Sequence, residues 1–151
     1  VAQAKKLAND NHLVYVLMGD GEQEEGQIWE AAMYAPAKNV DNIVAIVDYN
    51  KKQIDGPTDD VLSLGDLRAK YESFGWKVWE CNGNDMQELV DTFNKIRENA
   101  HKGQSQILLA HTEMGMGVDF MMGTHKWHGV APNDEQAANA LSQLKETLGD
   151  Y

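Results

Sequence analysis

Basic residues are scarce in this chain. Lys and Arg number 13 against 24 Asp and Glu over 151 residues, a net charge of −11. A surface that acidic is repelled by nucleic acid and by anionic lipid, which removes both from the general partners. Any anion must therefore be bound locally, through backbone amides or a metal ion. Cysteine is scarcer still: Cys81 stands alone. No internal disulfide can form, and a reducing compartment, the cytoplasm, is the expected location. No apolar run comes near the roughly 20 residues that a membrane-crossing helix requires, and no basic segment followed by an apolar core opens the chain. A soluble protein is expected. Repeats, low-complexity tracts and interdomain linkers are missing, so a single domain over 1–151 is expected, and 42% hydrophobic residues suffice for its core. Residues 2–8 read as the last turns of a helix begun earlier, so the domain is expected to lack its N-terminal part.

Four apolar, β-branched runs near 13–18, 43–48, 76–81 and 106–112 alternate with helical patterns. That alternation predicts repeated βαβ units, an α/β fold with a doubly wound parallel sheet. Ile28, Ala31, Ala32 and Ala35 recur at helical spacing and predict a helix from about 27 until Pro36 ends or kinks it. A helix over about 67–74 is stopped by Gly75. Asp85 and Glu88 have capping-box spacing ahead of Leu89, Phe93 and Ile96, predicting a helix to about 100. Asn133 and Gln136 repeat the signal before Ala137, Leu141, Leu144 and Leu148, an amphipathic helix expected to dock by that face. Two segments are too long for ordinary connectors. One is 51–63, without periodicity, read as a loop draped over a bound group; the other is 113–133, rich in Gly and Met and carrying two histidines.

The chemistry-bearing pattern is Gly19-Asp20-Gly21-Glu22-Gln23-Glu24-Glu25-Gly26, with Asn50 thirty positions after Asp20 in Val47-Asp48-Tyr49-Asn50. Both turns follow apolar runs, which places them at the carboxyl ends of parallel strands, where open α/β sheets bind ligands. Gly19 and Gly21 allow close approach of an anion, and a following helix directs free amides at it. A diphosphate is the natural occupant. Asp20 and Asn50 each supply a hard oxygen, which suits Mg2+. Taken alone, Asp20 also reads as a turn residue bonding its own backbone. The acidic run does not read as a calcium loop, since the sixth and twelfth positions from Asp20 are Glu25 and Ala31 rather than Gly and Glu. His125 and His128, three apart with no Cys or acidic third ligand nearby, make a weak zinc pattern. Glu22 and Glu24 are expected to be solvated. Trp29, Trp76 and Trp79 read as core or interface aromatics, His12, His101 and His125 as surface or capping residues, His111 as structural, and Cys81 as inert.

Gly19-Asp20-Gly21 with Asn50, Trp29-Glu30-Ala31 after the acidic run, Gln53-Ile54-Asp55-Gly56-Pro57-Thr58 and Trp127-His128-Gly129 together resemble the transketolase family, specifically the N-terminal subunit of transketolases made as two chains. The resemblance runs from about Leu13 to Leu144. It implies the thiamine diphosphate-binding fold and two cofactors, thiamine diphosphate and Mg2+. The implied metal ligands are Asp20, Asn50 and the main-chain carbonyl of Lys52, where relatives more often carry an apolar residue. Gly19, Asp20, Gly21, Glu25, Asn50, Ile54 and His128 are implied around the cofactor, Ile54 as part of its apolar cover. Glu25 and His128 are the implied catalytic residues: Glu25 communicates between active sites, and His128 contacts the diphosphate and the reacting sugar. Gly115 and Gly117 fall where relatives often read Lys-Gly-x-Gly, with Met114 replacing the lysine, and are expected to let the chain pass close to cofactor or substrate. The implied reaction is two-carbon ketol transfer between sugar phosphates. Its implied partner is a C-terminal transketolase subunit or domain, in a homo- or hetero-oligomer. Two alternatives stand beside it: another thiamine diphosphate enzyme, such as a 2-oxo acid dehydrogenase component or a deoxyxylulose-phosphate synthase, and a non-catalytic scaffold of the same fold.

Overall fold

A computed structural model gives the fold, with residues 1–145 described. The chain runs α1 (Ala2–Leu7), β1 (Val14–Gly19), α2 (Gly26–Ala37), β2 (Ile43–Tyr49), β3 (Lys52–Gln53), β4 (Gly56–Pro57), α3 (Thr58–Leu62), α4 (Leu67–Phe74), β5 (Lys77–Asn82), α5 (Met86–Glu98), β6 (Gln106–His111) and α6 (Asp134–Gln143). The four long strands match the four apolar runs to within a residue. They pair in parallel in the order β1-β2-β6-β5.

Double winding follows from the direction of each crossing. β1 to β2 through α2, and β2 to β5 past α4, step the same way across the sheet, so right-handed crossovers put α2 and α4 on one face. There Ala32, Ala35, Leu67, Tyr71 and Trp76 pack with Met18, Val47, Ile107 and Leu109. β5 to β6 steps back, which sends α5 to the other face, where Ile96, Leu89 and Phe93 pack on Val44, Leu108 and Ala110. β6 lies between two strands under both helix layers, and Gln106–Ala110 are all buried. That is why its sequence is a continuous apolar run rather than an alternation.

Local chemistry sets the element ends. Pro36 lies in the last turn of α2 and has no N–H to offer the Ala32 carbonyl. The indole of Trp76 donates to that carbonyl instead, at 2.7 Å, and the helix continues to Ala37. Gly75 ends α4 in the left-handed region, φ 96°. Asn133 and Gln136 form the expected reciprocal capping box.

Three expectations are corrected. The segment 51–63 is not structureless, because Lys52–Gln53 and Gly56–Pro57 pair as a small antiparallel hairpin and Thr58–Leu62 is helical. Asp85 does cap α5, but the Glu88 carboxylate accepts from Asn82 N–H rather than Asp85 N–H, so the box is not closed. α6 stops at Gln143 and buries Ala140, leaving Leu141 70% exposed, so the expected Leu stripe is not its docking face. Leu148 lies outside the described residues.

The β1 side of the sheet is apolar and open. Tyr15 and Leu17 are exposed on the α5 face. On the other face a groove of about 700 Å3 is lined by Val14, Val16, Met18, Ala31, Tyr34 and Ala35. Ile96 is fully buried at the centre of the α5 face. Ile96→Ala is expected to destabilise the chain by about 2–5 kcal/mol through lost burial and a residual cavity, read by denaturant unfolding.

Candidate functional site

Pairing of β1 with β2 sets Gly19 opposite Asp48 at the carboxyl edge, so the two signature turns emerge side by side. Two contacts join them, and a third set orders the second turn itself. Lys51 adopts φ 61°, unusual for a non-glycine residue, and this aims its amide at Asp20 Oδ2, which accepts it. Gly21 packs against β3 so closely that a Cβ there would lie 2.8 Å from Gln53 Cβ. Asn50 Oδ1 accepts from Lys52 N–H at 2.9 Å while its Nδ2 donates to Asp48 at 3.3 Å. Asp48 also accepts the Thr112 hydroxyl from the end of β6. Gly19 shows no such crowding, and its amide donates to Glu22 Oε2 at 2.6 Å.

A buried polar network supports the first turn from beneath. Between Asp20 and α2 the chain makes a 3-10 turn, Gly21–Glu24, rather than entering the helix directly. Its Gln23 is fully buried, and its backbone carbonyl accepts the Trp29 indole N–H at 2.8 Å. Gln23 Oε1 accepts the Tyr71 hydroxyl at 2.6 Å. Burial pushes the Tyr71 pKa up to about 12, which keeps that donor protonated. Glu22 and Glu24 are not merely solvated, since Glu22 holds the Gly19 amide and Glu24 Oε1 is buried with no hydrogen-bond partner among the described residues.

The electrostatics centre on Asp20, whose side chain is buried. Burial raises its pKa and the nearby Asp48 charge adds to that, while the Lys51 and Gly21 amides oppose it. Among the described residues no Lys, Arg or His forms an ion pair with it. A buried carboxylate beside a second acid and lacking a cation fits a bound divalent ion. No group of three or more His, Cys, Asp or Glu among the described residues is arranged to hold a metal, so such an ion would need ligand and water oxygens to complete its shell.

Two predicted residues sit apart from this pair. Glu25 is exposed between the 3-10 turn and α2, and His128 is exposed in the segment after β6; neither hydrogen-bonds to Asp20 or Asn50. Ile54 is exposed at the tip of the β3–β4 hairpin. Lys52 contributes more than a carbonyl, because its ammonium pairs with Glu113 at 3.0 Å. Gly115 is not spaced for a ligand: at φ 74°, a Cβ there would lie 2.5 Å from Met121 Cβ of its own loop. Gly117 likewise meets Leu144. His111 pairs with Glu80 at the strand end, and burial pushes the Cys81 thiol up, as suits an inert cysteine. Sequence reasoning missed Asp48, Gln23, Tyr71 and Glu113. Only Asp48 carried a local signal, an acid closing an apolar strand two residues before Asn50.

A family model described as transketolase, thiamine diphosphate binding domain, matches residues 3–149. The chain belongs to this transketolase family. It is 42% identical over 148 residues, 98% of its length, to one of the subunits of the apulose-4-phosphate transketolase of Phocaeicola vulgatus. It is 34% identical over 97% of its length to the 6-deoxy-6-sulfo-D-fructose transketolase subunit SqwG of a Clostridium species. In both cases the chain spans 52% of the relative, about half. The transketolase of Campylobacter jejuni superposes with a TM-score of 0.82 at 26% identity, over 94% of this chain and 22% of that one. The parallel α/β architecture of this transketolase domain is thus shared with solved transketolases.

Two outcomes follow for the transketolase domain. Because burial lifts Asp20 above the ordinary aspartate value of about 3.9, the fold favours its protonated form, and stability falls as pH rises through the folded pKa. Asp20→Asn is therefore expected to melt higher than wild type at pH 7 without ligand, with the margin vanishing below about pH 3.9; thermal melts across pH read both. Gly21→Ala is expected to lose about 1–3 kcal/mol as Gln53 is forced back, measured by denaturant unfolding.

Proposed function

We propose that this chain is the diphosphate- and Mg2+-binding half of a transketolase-like transferase of the EC 2.2.1 type. The observation that carries the reading is the buried Asp20 carboxylate, with no Lys, Arg or His ion pair among the described residues, beside Asn50 at the carboxyl edge of β1 and β2, in a member of this family. Asp20, Asn50 Oδ1 and the Lys52 carbonyl are the protein's contribution to the metal shell. Asn50 Oδ1 already accepts one amide and keeps a second lone pair for an ion. The Gly19 and Gly21 turn and His128 hold the diphosphate, Ile54 covers part of the ring, and Glu25 communicates with the neighbouring active site. Bound thiamine diphosphate supplies a nucleophilic carbon and an electron sink for breaking a ketose carbon–carbon bond. His128, an exposed loop imidazole, positions the sugar and moves a proton at its hydroxyls.

The donor is an anion-bearing ketose, in keeping with relatives named for apulose 4-phosphate and for a sulfofructose. A partner chain or domain supplies the pyrimidine-binding half in a cytoplasmic oligomer. Relatives that are themselves named as single subunits of a transketolase support that division, as does the apolar groove beside β1.

Calorimetric titration of thiamine diphosphate into the assembled enzyme, with Mg2+ or with chelator, tests the reading. Binding is expected to require Mg2+, to weaken on the order of a hundredfold in Asp20→Ala, and to weaken less in Asn50→Ala. Unchanged affinity in Asp20→Ala would remove the metal assignment. His128→Ala is expected to lower turnover more than cofactor affinity. Its stability should stay within about 0.5 kcal/mol of wild type, because no core cavity opens.

A further inference from the structure

The side chain of Lys52 does something separate from its carbonyl. That side chain is 15% exposed, and its ammonium donates to Glu113 Oε1 at 3.0 Å. The same carboxylate oxygen accepts the Gly123 amide at 2.8 Å, closing residues 113–123 into a ring. Glu113 is itself anchored, since its amide donates to Asn84 Oδ1 at 2.7 Å, in the connection between β5 and α5. The ring has little freedom. Amides of Met116, Val118, Met121 and Met122 bond to carbonyls within it, Val118 is buried, and Gly115 leaves no space beside Met121.

From the ring the chain leads to His128 by two more contacts. The Trp127 indole donates to the Phe120 carbonyl at 2.9 Å, and the two rings meet edge to face at 5.2 Å. The His128 amide then donates to the His125 carbonyl at 2.9 Å. A continuous series of packed and bonded groups therefore joins the turn of Asp20 and Asn50 to the segment bearing His128, and the Lys52–Glu113 pair is the step that crosses between them. The lysine side chain is largely hidden from water whereas the Glu113 side chain is 38% exposed, so the pair is partly screened and its role is that of a directional link.

We infer that Lys52 and Glu113 are positioning residues whose ion pair couples the metal-proximal turn to the His128 loop, so that occupancy of the turn and placement of His128 are one linked event. What the turn binds rests on the function proposed above; the coupling itself rests on the contacts just described. Coupling of this kind is carried by a contiguous bonded path and must be shown by perturbing it.

The test is hydrogen exchange on Lys52→Met, which keeps the apolar stem and leaves Glu113 accessible to water, with Lys52→Arg as the conservative rescue. In the full ligand-free chain, amides of 115–128 are expected to exchange about tenfold faster in Lys52→Met and near wild-type rates in Lys52→Arg, while β2 and β6 stay unchanged. Wild-type exchange over 115–128 in Lys52→Met overturns the coupling. A general acceleration through β2 and β6 also overturns it, by making the pair merely structural. In the assembled enzyme, thiamine diphosphate with Mg2+ is expected to protect both 50–53 and 115–128 in wild type, but only 50–53 in Lys52→Met. Equal protection of both segments in Lys52→Met sinks the coupling and leaves the cofactor reading standing. Faster ligand-free exchange in Lys52→Met, together with no cofactor binding by wild type, supports the coupling and removes the cofactor reading.

Discussion

The carboxylate of Asp20 is held out of water at the junction of two parallel strands, and the rest of the carboxyl edge is arranged around keeping it there. Parallel pairing of β1 with β2 delivers the two turns to one place. The left-handed backbone at Lys51 turns an amide toward the acid, and the absent Cβ of Gly21 lets Gln53 close over the junction. Beneath it, Tyr71 and Trp29 hold Gln23 and so fix the path of the 3-10 turn. Such a site stores unfavourable electrostatics in the ligand-free fold, which the proposed cation would relieve, the usual relation between stability and function at a preorganised site.

The labour is divided unequally among the elements. The sheet and its two short turns present Asp20 and Asn50 rigidly, whereas His128 is carried by a long segment outside the sheet. Rigidity at that second position comes from side chains and tight loop packing: Glu113 gathering Gly123, Gly115 accommodating Met121, Phe120 against Trp127. The Lys52–Glu113 pair spans the two regions. At this position the chain has an ammonium, and with it a directional contact.

Much of this was legible beforehand. The four strands, the ends of α2 and α4 and the start of α6 agreed with the reading to within a residue or so because hydrophobic period, glycine stops and the Asn133 cap act over a few residues. The transketolase likeness was legible for a different reason: several motifs fall in the family's order along the chain, and the family match over residues 3–149 bears out that likeness. What misled were patterns whose outcome depends on remote partners. Residues 51–63 have no period, yet form a hairpin and a helical turn. Glu88 had capping-box spacing but found the Asn82 amide, and Leu141 is exposed while Ala140, off its stripe, is the buried residue of α6.

The amino-acid sequence alone determined the parallel α/β class and the presence of two polar turns at strand ends, since both follow from local periodicity and turn chemistry. Tertiary structure decided which strands are neighbours, that Asp20 is buried without a counter-cation among the described residues, and that Tyr71, forty-eight positions from Gln23, supports the turn. It also decided that Lys52 meets Glu113, sixty-one positions away. Burial and ion pairing depend on which surfaces meet when the sheet closes, and that is a property of the assembled chain rather than of any stretch within it.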